Sequence, residues 1–177
     1  MPDFEAFSRE VQFRKKATHT CACGNLGHSE KDCLCTPYQI RKYRSKISGP
    51  LLDRIDMHLE VSSLKVSEIT SDAPSGETSD VIRERVIKAR QRQTGRFEGT
   101  KIHCNAKMHI RQIKKYCKLD EDSLSLLRSA IEKLGFSARA YDRILKVSRT
   151  IADLDNKENI GSMHVAEAIQ YRNLDRS

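Results

Sequence analysis

The stretch "DEDSLSLLRSAIEKLGFSARAYDRILKVSRTIADL", residues 120–154, decides the fold class. It opens with acids, which suit the positive end of a helix, and its first half stops at Gly135, a residue suited to a helix C-terminus. Ser137 is placed to cap a second helix. In that helix Ala138, Tyr141, Ile144, Leu145, Ser148 and Ile151 recur at helical spacing and would turn one face to a core. Two capped, amphipathic helices in succession predict a helical bundle.

Working outward, the same signals recur. "MHVAEAIQY" reads as a last helix opened by Ser162, and "MHIRQIKKYC" as a short one. Ser79 is placed to cap a helix carrying Val81, Ile82, Val86 and Ala89, followed by a loop around Gly95–Gly99. Residues 67–80, "SEITSDAPSGETSD", have a linker composition. Before them, "TPYQIRKYRSKI" reads as a helix with Thr36 as cap, Pro37 at the first position, and Ile40, Tyr43 and Ile47 near one face. Ser48–Pro50 break it. "DMHLEV" alternates Met57, Leu59 and Val61 with polar residues, the period of a half-buried strand. Residues 1–20 carry little pattern. The expected organisation is a mixed segment, a linker, and a bundle of four or five helices.

Composition sets the limits. The chain has 177 residues, 38% of them apolar and 32% charged, enough for one ordinary domain or two small ones. No apolar run approaches the ~18 residues that span a bilayer, and "MPDFEAFSREVQFRKK" lacks a signal-peptide core. The expected location is the cytoplasm, where clustered cysteines favour metal over disulfides. Net charge is +8. Between Val81 and Lys118 stand twelve Lys or Arg against Glu84 and Glu98, which permits contact with nucleic acid, with an acidic protein, or with solvent alone.

Four of the six cysteines lie in "CACGNLGHSEKDCLC", residues 21–35. The pattern is Cys21-x-Cys23, nine residues, then Cys33-x-Cys35. Four thiolates suit a tetrahedral structural zinc, and they leave no open position for catalysis. Gly24 and Gly27 permit the tight turns, and His28 could replace one cysteine. The bland alternative is a reduced loop of small side chains, and Cys104 and Cys117 are expected to be ordinary thiols.

Two arginines carry a choice of roles. Arg54, in "KISGPLLDRID", either pairs with Asp53 or Asp56 or is presented to a phosphate. Arg139, in "SARAYDRILKVSR", either pairs with Asp142, as Arg143 could, or likewise meets a phosphate. Residue types alone favour ion pairing for each.

Longer motifs add a resemblance. "CTPYQIRKYRSKISGPLLDRIDMHLEV", residues 79–93, "YCKLDEDSLSLL" and "LGFSARAYDRILKVSRTIADLD" with "HVAEAIQYRNLDR" resemble the C-terminal part of the magnesium-chelatase-like AAA+ ATPases of the ComM/YifB competence type, over about residues 19–176. The resemblance implies an α/β remnant of an AAA+ P-loop core plus a C-terminal all-α lid. Its segments would be a divergent 1–18, the core end at 19–66, a linker at 67–80 and the lid at 81–177. Arg54 matches the arginine finger that reaches a neighbouring subunit's ATP, and Arg139 matches the sensor-2 arginine of the lid. Cys21, Cys23, Cys33 and Cys35 match the family's cysteine segment. Family members are hexameric, ATP- and Mg2+-dependent DNA helicases of branch migration, so ring subunits and DNA are the implied partners.

The chain departs from that pattern. His19-Thr20 stand where the family has the sensor-1 Asn-Pro, and histidine does not reproduce that amide. No G-x-x-x-x-G-K-[ST] loop and no apolar strand ending in Asp-Glu occur in the sequence. The chain alone is therefore expected not to hydrolyse ATP, and to supply Arg54 to a complementing subunit. The alternatives are a small zinc- and DNA-binding module using residues 81–118, and a non-functional truncated product.

Overall fold

The computed structural model describes residues 18–61, 64, 67, 70 and 76–172. These fall into two compact units, one holding residues 18–46 and the other residues 47–61 with 76–172. Most of the expected linker, and residues 1–17, lie outside the described residues.

In the first unit the cysteine loop leads into α1, Pro37–Arg44. The Thr36 hydroxyl accepts the Gln39 amide at 3.3 Å while the Gln39 side chain accepts the Thr36 amide at 2.8 Å. This reciprocal capping box, with proline at the first position, starts the helix where the sequence places it.

The second unit is helical. A single turn, α2 (Gly49–Leu52), is followed by α3 (Ser79–Arg96), a 3-10 turn at Asn105–Lys107, α4 (Ile110–Tyr116), α5 (Glu121–Leu134), α6 (Ala138–Leu154) and α7 (Ser162–Gln170). α6 is the central element, packing against α7, α3, α4 and the 3-10 turn, while α5 packs on α7. Its buried residues Ala140, Ile144, Leu145, Ser148, Arg149, Ala152 and Asp153 follow the 3.6-residue period. Met108, Ile113, Leu127, Phe136, Ile160 and Val165 close the core around it.

The caps are local and legible. Ser137 accepts the Ala140 amide at 3.1 Å, Asp120 accepts the Ser123 amide at 2.8 Å, and Gly135 takes the left-handed conformation at φ 65°. The α3 cap falls on Thr78, one residue before the expected Ser79. Replacing Asp120 by alanine leaves the Ser123 amide without its acceptor, and a loss of about 1 kcal/mol in urea unfolding is expected. An unchanged midpoint would mean that water replaces the cap.

Two expectations fail. "DMHLEV" forms no strand, and no strand occurs among the described residues; the isolated pairing of Leu119 with Ile160 is the only β-bridge there. Alternation gives a segment two faces but no partner, and Met57, Leu59 and Val61 remain exposed. His58 is the buried residue of that run, its amide donating to the Tyr171 carbonyl at 2.6 Å. In α3 the apolar face expected from Val81 to Ala89 is buried only from Ala89 onward. Val81, Ile82 and Val86 are exposed, so the packed stretch of this helix is its C-terminal half.

A polar cluster sits inside the bundle. Asp153 is fully buried and receives both guanidinium nitrogens of Arg96, at 2.6 and 2.5 Å, the Arg149 guanidinium at 3.1 Å and the Asn105 amide at 2.8 Å. Arg149 also donates to the carbonyls of Glu158 and Lys157 at 2.6 and 2.8 Å. The cluster joins α3, the 3-10 turn, α6 and the loop after it.

Candidate functional site

The cysteine loop brings its four thiols together. Sγ separations are 3.4 Å for Cys21–Cys23, 3.6 Å for Cys23–Cys33 and 3.7 Å for Cys21–Cys33, and the four sulfurs lie within 4.8 Å of one another. Disulfide sulfurs sit near 2.05 Å, whereas a tetrahedral metal with ~2.3 Å bonds sets them about 3.8 Å apart. The donor set therefore fits a metal ion. His28 stands outside it, and its ring nitrogen accepts the Glu30 amide at 3.0 Å.

The loop geometry makes this cluster. Gly24 and Gly27 both take φ 81°, and a Cβ on Gly24 would meet the His19 ring at 3.4 Å. Thr20 donates its hydroxyl to the Leu26 carbonyl at 2.8 Å, and Arg44 of α1 donates to the Thr20 carbonyl at 3.3 Å. His19 thus packs on the knuckle.

Crowding splits the thiols' acidities. A hydrogen bond from the Asn25 amide, helped by the Cys21 thiol, draws Cys23 down to about 6. Cys33 is pushed up to about 12: the Cys35 backbone hydrogen bond lowers it, but desolvation and the Cys23 and Cys21 sulfurs together raise it further. Successive thiolates repel, so all four ionise together only around a cation. Cys117, in the other unit, is pushed up to about 11 by burial and behaves as a core residue.

The second group of residues lies around "LLDRID". The expected pairing of Arg139 and Arg143 with Asp142 is not what forms. Arg139 donates to Asp53 at 3.1 Å and Arg143 pairs with Asp56. Asp53 also accepts the Ser137 hydroxyl at 2.6 Å and lies 3.9 Å from buried Arg172. The Ser137 hydrogen bond, then Arg139 and Arg172, hold the Asp53 carboxyl below its ordinary range against a desolvation cost. Arg172 further donates to the Ile55 carbonyl at 2.9 Å. The segment 53–58 is thereby strapped to the start of α6 and the end of α7.

Arg54 is left exposed by this arrangement. Both flanking aspartates are engaged by arginines of the bundle, and Arg54 makes no ion pair among the described residues. Its guanidinium donates to the Pro50 carbonyl at 2.9 Å, four residues back within α2. Sequence reasoning named Arg54 and Arg139 but missed Arg172 and the pairing of Asp53 with Ser137 and Arg139. Their partners lie more than 80 residues away along the chain, so no local spacing signals them.

The family described as magnesium chelatase, subunit ChlI C-terminal, matches residues 76–172, and that described as magnesium chelatase, subunit ChlI, matches residues 6–69. Competence protein ComM of Haemophilus influenzae is 44% identical over 141 residues, which is 80% of this chain and 27% of that protein. YifB of Salmonella typhimurium and YifB of Escherichia coli are 40% and 38% identical over 142 residues, again 80% of this chain and 27% of theirs. The chain thus spans about a quarter of the length of these curated relatives. No helix among the described residues is long and apolar enough to cross a membrane.

Proposed function

The chain belongs to the magnesium chelatase subunit ChlI C-terminal family, and on that premise we propose that it works as the C-terminal part of a ComM-like AAA+ ATPase, in a cytoplasmic ring that uses ATP to move DNA strands. In this reading residues 19–66 are the end of the ATPase core, 67–80 a linker and 81–177 the helical lid. Arg54 is the arginine finger given to the neighbouring subunit's nucleotide, and Arg139 is the sensor-2 arginine. ATP and Mg2+ would be held by residues of a complementing P-loop subunit.

The observation that carries the reading is the state of Arg54. Between two aspartates a surface arginine would ordinarily pair with one of them. Here Ser137, Arg139, Arg143 and Arg172 engage both carboxylates, and Arg54 stays exposed without an ionic partner among the described residues. Its planar fork of donors then suits the charge that gathers on phosphoryl oxygens in the transition state. Asp53 holds Arg139 in an ion pair, and its carboxylate neutralises the lid arginine until a phosphate competes for it.

The test is complementation. A YifB-type relative whose own matching arginine is alanine is mixed with this chain, and phosphate release is followed. The mixture is expected to turn over ATP while each component alone does not. ATP turnover by the isolated chain, or no recovery in the mixture, would overturn the reading.

The four cysteines are assigned a structural zinc, held by Cys21, Cys23, Cys33 and Cys35 as thiolates. Cys21 and Cys23 at one end of the loop and Cys33 and Cys35 at the other would be joined through such an ion, which would hold the loop closed and supply no catalysis. One zinc per chain is expected by elemental analysis. Cys33→Ser together with Cys35→Ser should abolish it and open residues 18–46 to protease, with the melt of the helical unit unchanged. A metal-free chain equally resistant to protease would remove the assignment.

A further inference from the structure

The structure divides the basic run of residues 81–118 into two parts with different fates. On α3 the arginines are engaged internally. Arg83 pairs with Asp80 at 2.6 Å, Arg85 pairs with Glu77, and Arg96 pairs with buried Asp153. Arg92 donates to the Asn156 side chain at 2.8 Å and to its carbonyl at 3.0 Å.

The second part is different. From Gly99 to Leu119 the sequence contains no acid, and Lys101, Lys107, Arg111, Lys114, Lys115 and Lys118 are all exposed. None of these six forms an ion pair among the described residues. α4 buries Ile113 and, at its cap, Cys117, which leaves Arg111, Lys114 and Lys115 on its outer side, with exposed Lys118 just past the cap. Lysines in a last helical turn suit the dipole, but that accounts only for Lys114 and Lys115.

We propose that this outer side of the 3-10 turn and α4 docks the phosphate backbone of a DNA duplex. The choice of DNA rests on the reading of the chain as part of a DNA-directed ATPase, but the surface uses neither Arg54 nor Arg139. Arg111 and Lys115 are four residues apart on α4, about 6 Å of helix rise, close to two base-pair steps of about 3.4 Å, and Lys118 follows just past the helix end. Tyr116 is the one Phe, Tyr or Trp between residues 99 and 119, half-buried and packed edge-on against Phe97 at 5.6 Å, while the rings of His103 and His109 are exposed. The face therefore offers no exposed Phe, Tyr or Trp for unpaired bases to stack on, while lysines reach phosphates without one. A protein partner would need an apolar anchor at its centre, and Ile110 stands as the lone large exposed hydrophobic residue of the described segment.

The test is fluorescence anisotropy of a labelled 30-base-pair duplex with the full chain, from 50 to 200 mM salt. Four to six phosphate contacts predict a log–log slope between about −3.6 and −5.4. Arg111→Glu with Lys114→Glu and Lys118→Glu should make that slope shallower by about 3 and weaken binding at least tenfold at 50 mM salt. The same three positions changed to Gln serve where reversal perturbs folding, and should give the same direction. Arg83→Glu with Lys88→Glu, on α3, should leave the slope unchanged, as should Arg54→Ala. Equal slopes for the triple variant and the unaltered chain would overturn the proposal. So would no duplex binding at 50 mM salt, tighter binding of single strands, or equal displacement by polyglutamate. Duplex binding without ATP complementation sinks the ring reading and leaves this surface standing; the reverse sinks the surface alone.

Discussion

Arg54→Ala is expected to lower ATP turnover of the complemented ring by about three orders of magnitude, equivalent to about 4 kcal/mol of barrier. The size follows from where the charge is met. A guanidinium placed against phosphoryl oxygens strengthens its hydrogen bonds as charge accumulates there, so its loss falls on kcat rather than on nucleotide affinity. Arg54→Lys should recover only part of the rate, because an ammonium lacks the two-pronged geometry. Turnover within threefold of the unaltered chain would end the arginine-finger assignment. A matched fall in affinity with kcat intact would instead make Arg54 a simple binding residue. Arg54 is exposed and, among the described residues, makes one side-chain hydrogen bond, to the Pro50 carbonyl, so its replacement should leave the fold and its melt unchanged.

The second large effect is on stability. Asp153→Ala should destabilise the helical unit by about 3–5 kcal/mol, since it leaves two arginine side chains in the interior without their carboxylate. Arg149 is buried and Arg96 nearly so, with side-chain exposures of 3% and 13%. Folded domains hold only about 5–15 kcal/mol in total, so urea unfolding followed by circular dichroism should show the shift at once. Replacing Arg96, Arg149 and Asp153 together with apolar residues should cost less than Asp153→Ala alone. The cost lies in stranding buried charge, not in losing attraction. A change below 1 kcal/mol for Asp153→Ala would mean that water reaches the cluster.

The sequence showed most where the physics is local. Helix starts at Thr36, Asp120 and Ser137 depend on a side chain meeting an amide three residues on, and those spacings are visible in the chain. The stop at Gly135 depends on one residue's tolerance of positive φ. The close gathering of four thiols was also legible, because the two C-x-C pairs are joined by a loop short enough, with glycines at the turns, to close on itself.

Pairings across the chain were not legible. Alternation at 56–61 described a strand, yet strand formation needs a neighbour to accept its hydrogen bonds, and the segment instead gives its His58 amide to Tyr171. Arg139 and Arg143 were expected to find Asp142 on their own helix, and found Asp53 and Asp56 instead. Composition counted twelve cations between residues 81 and 118 as one basic run. Folding brought Asp153 to one of them and left six others between residues 99 and 119 without an acid. The sequence by itself determined most of the helices, the ends set by local caps, and the family. The tertiary structure alone decided which charges are neutralised inside the protein and which stay exposed without an acid, because Coulomb attraction acts on distance in space and not on distance along the chain.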